Sequence, residues 1–360
     1  MSYKLKELST KDKKEWNELL EKTDTPDVYF TPEYANIYEH SYSPEIDEAF
    51  CGEAVLFFYG NEKEFVIMPK IKRKINDLEF LKNQRLEPYF DIISPYGYAG
   101  PIIHSKNKEK LIENFRKDFK NYCNNNNIVT EFTRFHPLIK NHKEAEKSIP
   151  VTRRNTTVYI DLTKNKEDIL ASMSKKTRNL IKKAEKNKIE IHRSDKQKDL
   201  DRFSELYLES MKHANASSKY MFPKEFFSNT LKNLKQNVSL FTANYNNKII
   251  AASLFMHKGD FIHYHFSGSD LKYRSLAPNN LLLWKVAIWG KTQGFKKFHL
   301  GGGLKEGDSL FHFKSGFSKE KTEFYTSSVT HDNNIYKTLN NLKNTYAKQE
   351  STDFFPFYRG

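Results

Sequence analysis

His299-Leu-Gly-Gly-Gly-Leu-Lys-Glu-Gly-Asp-Ser-Leu-Phe-His-Phe-Lys-Ser-Gly-Phe-Ser318 is the stretch on which the reading of this chain turns. Phe295 to Leu300 is a short apolar run that reads as a strand. Gly301, Gly302 and Gly303 break it, so the backbone is free to turn sharply or to approach a ligand closely. Asp308 and Ser309 carry a helix-start signal, and Leu310, Phe311, Phe313 and Phe317 supply an apolar face. Lys314 sits among these aromatics, where a charge is costly unless something uses it. The competing reading is a lysine whose stem lies on a packed helix while its ammonium stays in water.

Outward from that stretch, the chain has 360 residues, enough for two domains that each bury a core. A hydrophobic content of 38% with 14% aromatics excludes a disordered chain. The 59 Lys and Arg against 45 Asp and Glu leave a formal charge of +14, which permits an anionic partner such as RNA, a nucleotide or anionic lipid. Cys51 and Cys123 have no paired spacing, so neither a disulfide framework nor a cysteine zinc site is expected. Met1–Trp16 is charged throughout, and no apolar run approaches the roughly 18 residues of a membrane helix. A cytoplasmic location is the expectation.

Two parts of the chain repeat one order. A helix over 11–22, with Trp16, Leu19 and Leu20 on one side, is followed by Tyr29-Phe-Thr-Pro-Glu-Tyr34 and by strands 54–59 and 65–69 around a turn at Gly60. The alternating cations of Lys70–Lys74 read as an exposed strand end. A helix over 200–214, then Tyr220-Met-Phe-Pro-Lys-Glu-Phe226, then strands 240–244 and 248–256 repeat that series about 190 residues later. That spacing implies a duplicated domain, since a solenoid period is far shorter. Boundaries are placed at 1–150, 151–345 and a tail, 346–360, that docks on the body.

Residues 167–188 read as one amphipathic helix with Ile169, Met173, Leu180 and Ala184 as its apolar stripe. Lys175, Arg178, Lys182 and Lys186 recur along its other side, and Glu185 is the only acid between Asp168 and Glu190. The bland reading is a solvated face; the sharper one is a contact with phosphates of a nucleotide or RNA. Asp260–Asp270 reads as a strand with His263 and His265 on one face and Tyr264 on the other. Two histidines at that spacing, with no third ligand nearby, give no metal site. A loop with Arg274 and Asn279 then enters a helix over 281–290, so strands 261–267 and 295–300 form a βαβ unit and should run parallel. The helix N-terminus near Asn279 is a favourable place for an acyl oxygen or a phosphate. The Gly- and Pro-rich loop Asp91–Pro101, with Tyr96 and Tyr98, and Arg134 after it, are candidate pocket residues.

With these pieces in order, the chain resembles the FemAB-like branch of the GNAT N-acetyltransferases, the peptidoglycan-bridge aminoacyltransferases and their relatives. The residues that carry the resemblance are Ser94–Pro101, Phe132–Pro137, Lys175–Lys182, Leu276–Leu282, Phe311–Phe317 and Phe354–Arg359. It implies an α/β (α+β) fold of tandem duplicated GNAT-like domains, each a mixed β-sheet flanked by helices. It also implies transfer of an acyl or aminoacyl group to an amine, with a Phe-Lys pair, here Phe313 and Lys314, beside the reacting carbonyl. Coenzyme-A users of this fold wrap the pyrophosphate in a glycine-bearing loop, whereas Tyr273–Asn280 has no glycine. Aminoacyl-tRNA is therefore the donor expected ahead of acyl-CoA, and no tightly bound cofactor is expected.

The expected activity is amide formation on an amine of a peptidoglycan or surface-polysaccharide precursor, phosphate-bearing or lipid-linked. That reading includes a tRNA partner and peripheral membrane contact. Lys314 would stabilise the tetrahedral intermediate. Lys175 and Arg178 would contact phosphates; Tyr96, Tyr98, Arg134, Tyr264, Arg274 and Asn279 would bind substrate; His265 is the candidate base. The alternatives are a coenzyme-A-dependent N-acetyltransferase of amino sugars and a non-catalytic tandem domain that binds RNA.

Overall fold

The computed structural model describes residues 3–347 and 354–360. Of the 346–360 tail, residues 348–353 thus lie outside the described part. The chain divides into two compact units, one of 1–24, 29–154 and 324–360, the other of 25–28 and 155–323. Against the simple division expected, 324–345 return to the first unit and 25–28 join the second.

The first unit runs β1 (Lys4–Ser9), α1 (Lys13–Glu21), α2 (Pro32–Asn36), α3 (Pro44–Phe50), β2 (Glu53–Gly60), β3 (Phe65–Lys74), β4 (Phe90–Ile93), β5 (Ile102–His104), α4 (Lys108–Asn125), β6 (Ile128–Arg134) and α5 (His142–Ala145). Strands β1 to β4 pair antiparallel in sequence order, with β5 also on β3, and β4 runs parallel to β6. The crossover between β4 and β6 includes α4, whose buried Leu111, Ile112, Phe115, Phe119 and Cys123 recur at helical spacing. They pack with Phe57, Val66 and Ile92 of the sheet. Fully burying a phenylalanine such as Phe115 or Phe119 contributes roughly 2–3 kcal/mol, which is what holds α4 to the strands.

In chain order the second unit takes in β7 (Thr152–Asp161), α6 (Lys166–Ser172), α7 (Lys175–Lys186), β8 (Glu190–Ser194), α8 (Gln197–His213), α9 (Lys224–Leu234), β9 (Val238–Tyr245), β10 (Lys248–Lys258), β11 (Phe261–Ser269), α10 (Pro278–Thr292), β12 (Lys297–Gly301) and α11 (Ser309–Ser315). The chain passes back to the first unit within β13 (Lys321–Thr330), which pairs antiparallel with β6 and leads into α12 (Asn333–Ala347). Strands β8 to β11 pair antiparallel in order, β11 is parallel to β12, and β12 is antiparallel to β7. This is the topology of the first unit again, and the expected βαβ unit is present. Helix α10 buries Leu281, Leu282, Leu283, Trp284, Val286 and Ala287 on several sides at once. It packs against α7 as well as against the strands, so it needs no polar face.

Two local expectations fail. The helix over 167–188 is broken: α6 ends at Ser172, and Ser174 caps α7 by accepting from the Thr177 amide at 3.1 Å. Ile181, not Leu180, is buried, because restarting the helix at Ser174 turns Thr177, Ile181 and Ala184 inward. Lys70–Lys74 is not an exposed end either. Lys70 is fully buried beside Glu131 at 3.1 Å, and Arg73 donates to Asp91 at 2.7 Å. Lys72 is half-buried and Lys74 exposed, so the solvated reading fails at Lys70 and Arg73, whose partners lie in the core.

Candidate active site

The second unit holds the stretch that opened the reading. β12 delivers the chain to Gly301, whose φ of 77° lies in the left-handed region that favours glycine. At Gly302 a Cβ would stand 2.7 Å from the Thr156 carbonyl oxygen, so a side chain there would push the two backbones apart. The chain then reaches Asp308, the N-cap of α11. Asp308 Oδ1 accepts from the Phe311 amide at 2.8 Å, and Oδ2 accepts from the Leu304 amide at 2.6 Å. Burial works against the Asp308 charge, but these backbone donors outweigh it and hold the carboxyl below its usual range.

Helix α11 turns Lys314 inward. Only 9% of it is exposed, its Nζ donates to the Gly302 carbonyl at 2.7 Å, and it lies 5.9 Å over the Tyr264 ring. Burial pushes its ammonium down to about 8, and the Asp308 charge offsets part of that fall. Near neutral pH the lysine is still mostly charged. An ammonium has three N–H groups, so the Gly302 carbonyl leaves donors for a ligand oxygen. Phe313 packs edge-on against buried Phe317 at 5.3 Å, which gives the cation its apolar wall. The solvated-lysine reading is set aside by this burial.

Strand β11 supplies the opposite side. Tyr264 is stacked on Phe255 at 5.6 Å. Pairing with β10 jumps from Phe255–Tyr264 to Leu254–Phe266, so His265 is the extra residue of a β-bulge. The bulge corrects the expectation that His263 and His265 share a face. Buried His263 meets Asp27 at 2.7 Å, a pairing that 236 residues of separation hid from the sequence. His265 packs on the Phe266 ring at 4.2 Å, and burial, helped by His263, pushes it down to about 3. An imidazole that holds a proton so weakly is poorly matched to taking one from an amine.

The cap of α7 touches the same segment. The Ser174 amide donates to the Gly316 carbonyl at 2.9 Å, which sets the first turn of the basic helix against the end of α11. Lys175 is exposed there. Arg178 donates instead to the carbonyls of Ala171 and Met173 and closes the C-terminal end of α6. Arg274 lies exposed in a 3-10 turn, Leu271–Leu276, ahead of α10. Asn279 is half-buried in the first turn of α10, with its Oδ1 enclosed and unpartnered.

Tyr96, Tyr98 and Arg134 belong to the first unit. The Arg134 guanidinium lies 5.9 Å over the Tyr96 ring and 5.4 Å over Phe132. Tyr98 is an edge-on neighbour of Tyr29 and Phe324, each at 5.5 Å, and burial pushes its hydroxyl up. The structure thus gathers Lys314, Phe313, Tyr264 and the start of α7 in one place.

Residues 171–315, from the end of α6 to the end of α11, match the acetyltransferase (GNAT) domain family. The crystal structure of FemX superposes with a TM-score of 0.68 at 12% identity, over 93% of this chain and 99% of that one. A conserved protein of unknown function from Bacteroides thetaiotaomicron VPI-5482 follows at 0.56 and 11% identity, over 91% and 100%. No curated protein matches by sequence. The match supports a GNAT-type acyltransferase domain over these residues. With the duplicated topology, the chain has the fold of FemX, two GNAT-like units of which the second carries the acetyltransferase (GNAT) domain match.

Proposed function

We propose that this acyltransferase moves an acyl or aminoacyl group onto the amine of a cell-envelope precursor. The observation that carries the reading is Lys314, an ammonium held in an aromatic wall and tied to the Gly302 carbonyl. Attack of an amine on the donor's carbonyl carbon places negative charge on its oxygen. A preorganised cation in a water-poor setting stabilises that charge more than it stabilises the ground state. Lys175 and the enclosed Asn279 oxygen would orient the substrates.

For the donor, the turn before α10 is informative. The Lys272 amide donates to the Asp270 side chain, Tyr273 to the Asp270 carbonyl, Ala277 to Arg274 and Asn280 to Ala277. Pro278 has no N–H to give. Amides spent in this way do not cradle a pyrophosphate, which supports aminoacyl-tRNA or another donor over acyl-CoA. The GNAT domain match favours the second reading, a coenzyme-A-dependent N-acetyltransferase.

The test is Lys314→Met, which keeps the bulk and removes the charge. Turnover should fall on the order of 10²-fold or more with the Michaelis constant little changed. Wild-type turnover in that variant would remove Lys314 from the mechanism.

A further inference from the structure

Helix α7 presents Lys175, Lys176, Lys182, Lys183 and Lys186 to solvent, and among the described residues no ion pair involves any of them. The single acid of the helix, Glu185, is taken by Lys285 at 3.5 Å. Self-repulsion along such a face is relieved by a counter-charge from outside the molecule. Exposed apolar side chains lie on the two segments that adjoin α7. Leu271 is 46% exposed, Leu304 86% and Leu310 41%, and the only other large apolar side chains so exposed among the described residues are Tyr346 and Phe354.

All three leucines lie on segments that touch α7. Leu271 stands at the start of the 3-10 turn that packs beside α7, with Lys272 and Arg274 exposed in the same turn. Leu304 and Leu310 flank the N-cap of α11, whose far end receives the Ser174 amide of α7 through Gly316. Leu304 hangs on a loop between Gly303 and Gly307, free of packing that would draw it inward.

We propose that the lysines of α7, with the three exposed leucines of the segments that adjoin it, dock the second unit on an anionic membrane surface. Cations draw the face to acidic headgroups, and leucines enter the interface, where an 86% exposed side chain stops costing free energy. A single-stranded RNA is the competing polyanion, but its bases are gripped by stacked aromatics, and leucines offer no ring to stack on. The inference concerns a docking surface, so it stands whether or not the transfer reading holds.

Flotation of the full chain with vesicles of phosphatidylcholine, alone or mixed with phosphatidylglycerol, tests it. Wild type should float with the mixed vesicles only, and less at high salt. Removing Lys182, Lys183 and Lys186 together, each to glutamine, should weaken binding by about 100-fold, from roughly a factor of five per lysine near an anionic surface. Leu304→Ser with Leu310→Ser should weaken it by roughly tenfold or more, with the lysines intact. These positions are surface sites, and circular dichroism checks that the variants fold. No flotation of wild type with mixed vesicles overturns the proposal. So does full flotation of the leucine variant, and so does equal loss of binding to vesicles and to polyuridylate in the lysine variant with none in the leucine variant.

Discussion

Lys314→Met should leave the protein more stable than the wild type, and the gain can be worked from the site. Burial lowers the lysine from 10.5 to about 8. A fall of about 2.5 pH units at 1.36 kcal/mol each means that keeping the ammonium charged in the folded state costs about 3 kcal/mol. Methionine removes that cost but leaves the Gly302 carbonyl without the donor it now has at 2.7 Å, a loss of about 1 kcal/mol. The balance is a gain of about 2 kcal/mol, or roughly 4–8 °C in Tm for a cooperative unit of this size. The pH dependence fixes the sign. A lysine with a depressed folded value pays its full penalty below about pH 8. Between about 8 and 10.5 the folded state releases the proton that the unfolded state keeps, so wild-type stability rises with pH there. The advantage of the methionine variant should therefore be largest near neutrality and shrink toward about pH 10. Urea unfolding of both proteins at three pH values measures this. A methionine variant less stable than wild type at neutral pH, or an advantage that does not change with pH, refutes the reasoning.

Two further outcomes are expected. Acetyl-coenzyme A should bind weakly or not at all by calorimetry, because the amides of Lys272, Tyr273, Ala277 and Asn280 are engaged within their own turn; tight saturable binding would shift the donor to acyl-CoA. Asp91→Asn should cost about 3–5 kcal/mol in urea unfolding, since it strips the charge from a buried carboxylate that pairs Arg73 at 2.7 Å and Arg359 at 2.5 Å. Burial opposes the Asp91 charge, yet Arg359 and Arg73 outweigh it and hold the carboxyl below its usual range. Its contribution is thus present above the unfolded value and lost as pH falls through the folded one, and a variant as stable as wild type would refute that account.

Much of this was legible in the sequence, and the exceptions share a cause. The parallel β11–β12 pair, the cap at Asp308 and the apolar wall around Lys314 come from local pattern, where neighbours along the chain decide the outcome. The local pattern makes Lys70 and Arg73 look solvated because the acids that neutralise them, Glu131 and Asp91, lie on other strands. The hold of Arg178 on the Ala171 and Met173 carbonyls is hidden from the sequence because the break at Ser174, which opens those carbonyls, goes with a tertiary contact to Gly316. The face of His265 depended on one bulge, and shifting a strand by one residue exchanges its two faces.

The duplication also bears on why Lys314 belongs to the second unit. In the first unit β3 pairs with β4 at Ile71–Lys74 and with β5 at Phe65–Ile67, as β10 pairs with β11 along its length. β4 and β5 together therefore take the place of β11, and the loop 94–101 between them takes the place of the bulge at His265. One position of the fold has become an aromatic-packed loop in one unit and a one-residue bulge beside Tyr264 in the other. The segment after the next strand differs as well. α11 follows β12 and buries Lys314, whereas α5 follows β6, buries His142 and Ala145, and leaves Lys143 exposed. A short helix after the parallel strand is thus common to both units, but only α11 starts at a glycine turn that brings a backbone carbonyl within 2.7 Å of a lysine. The shared topology supplies the frame. The glycines at 301–303 and the aromatics of α11 turn one copy of it into a place where a charge is kept at a cost in stability, the charge that the proposed transfer would use.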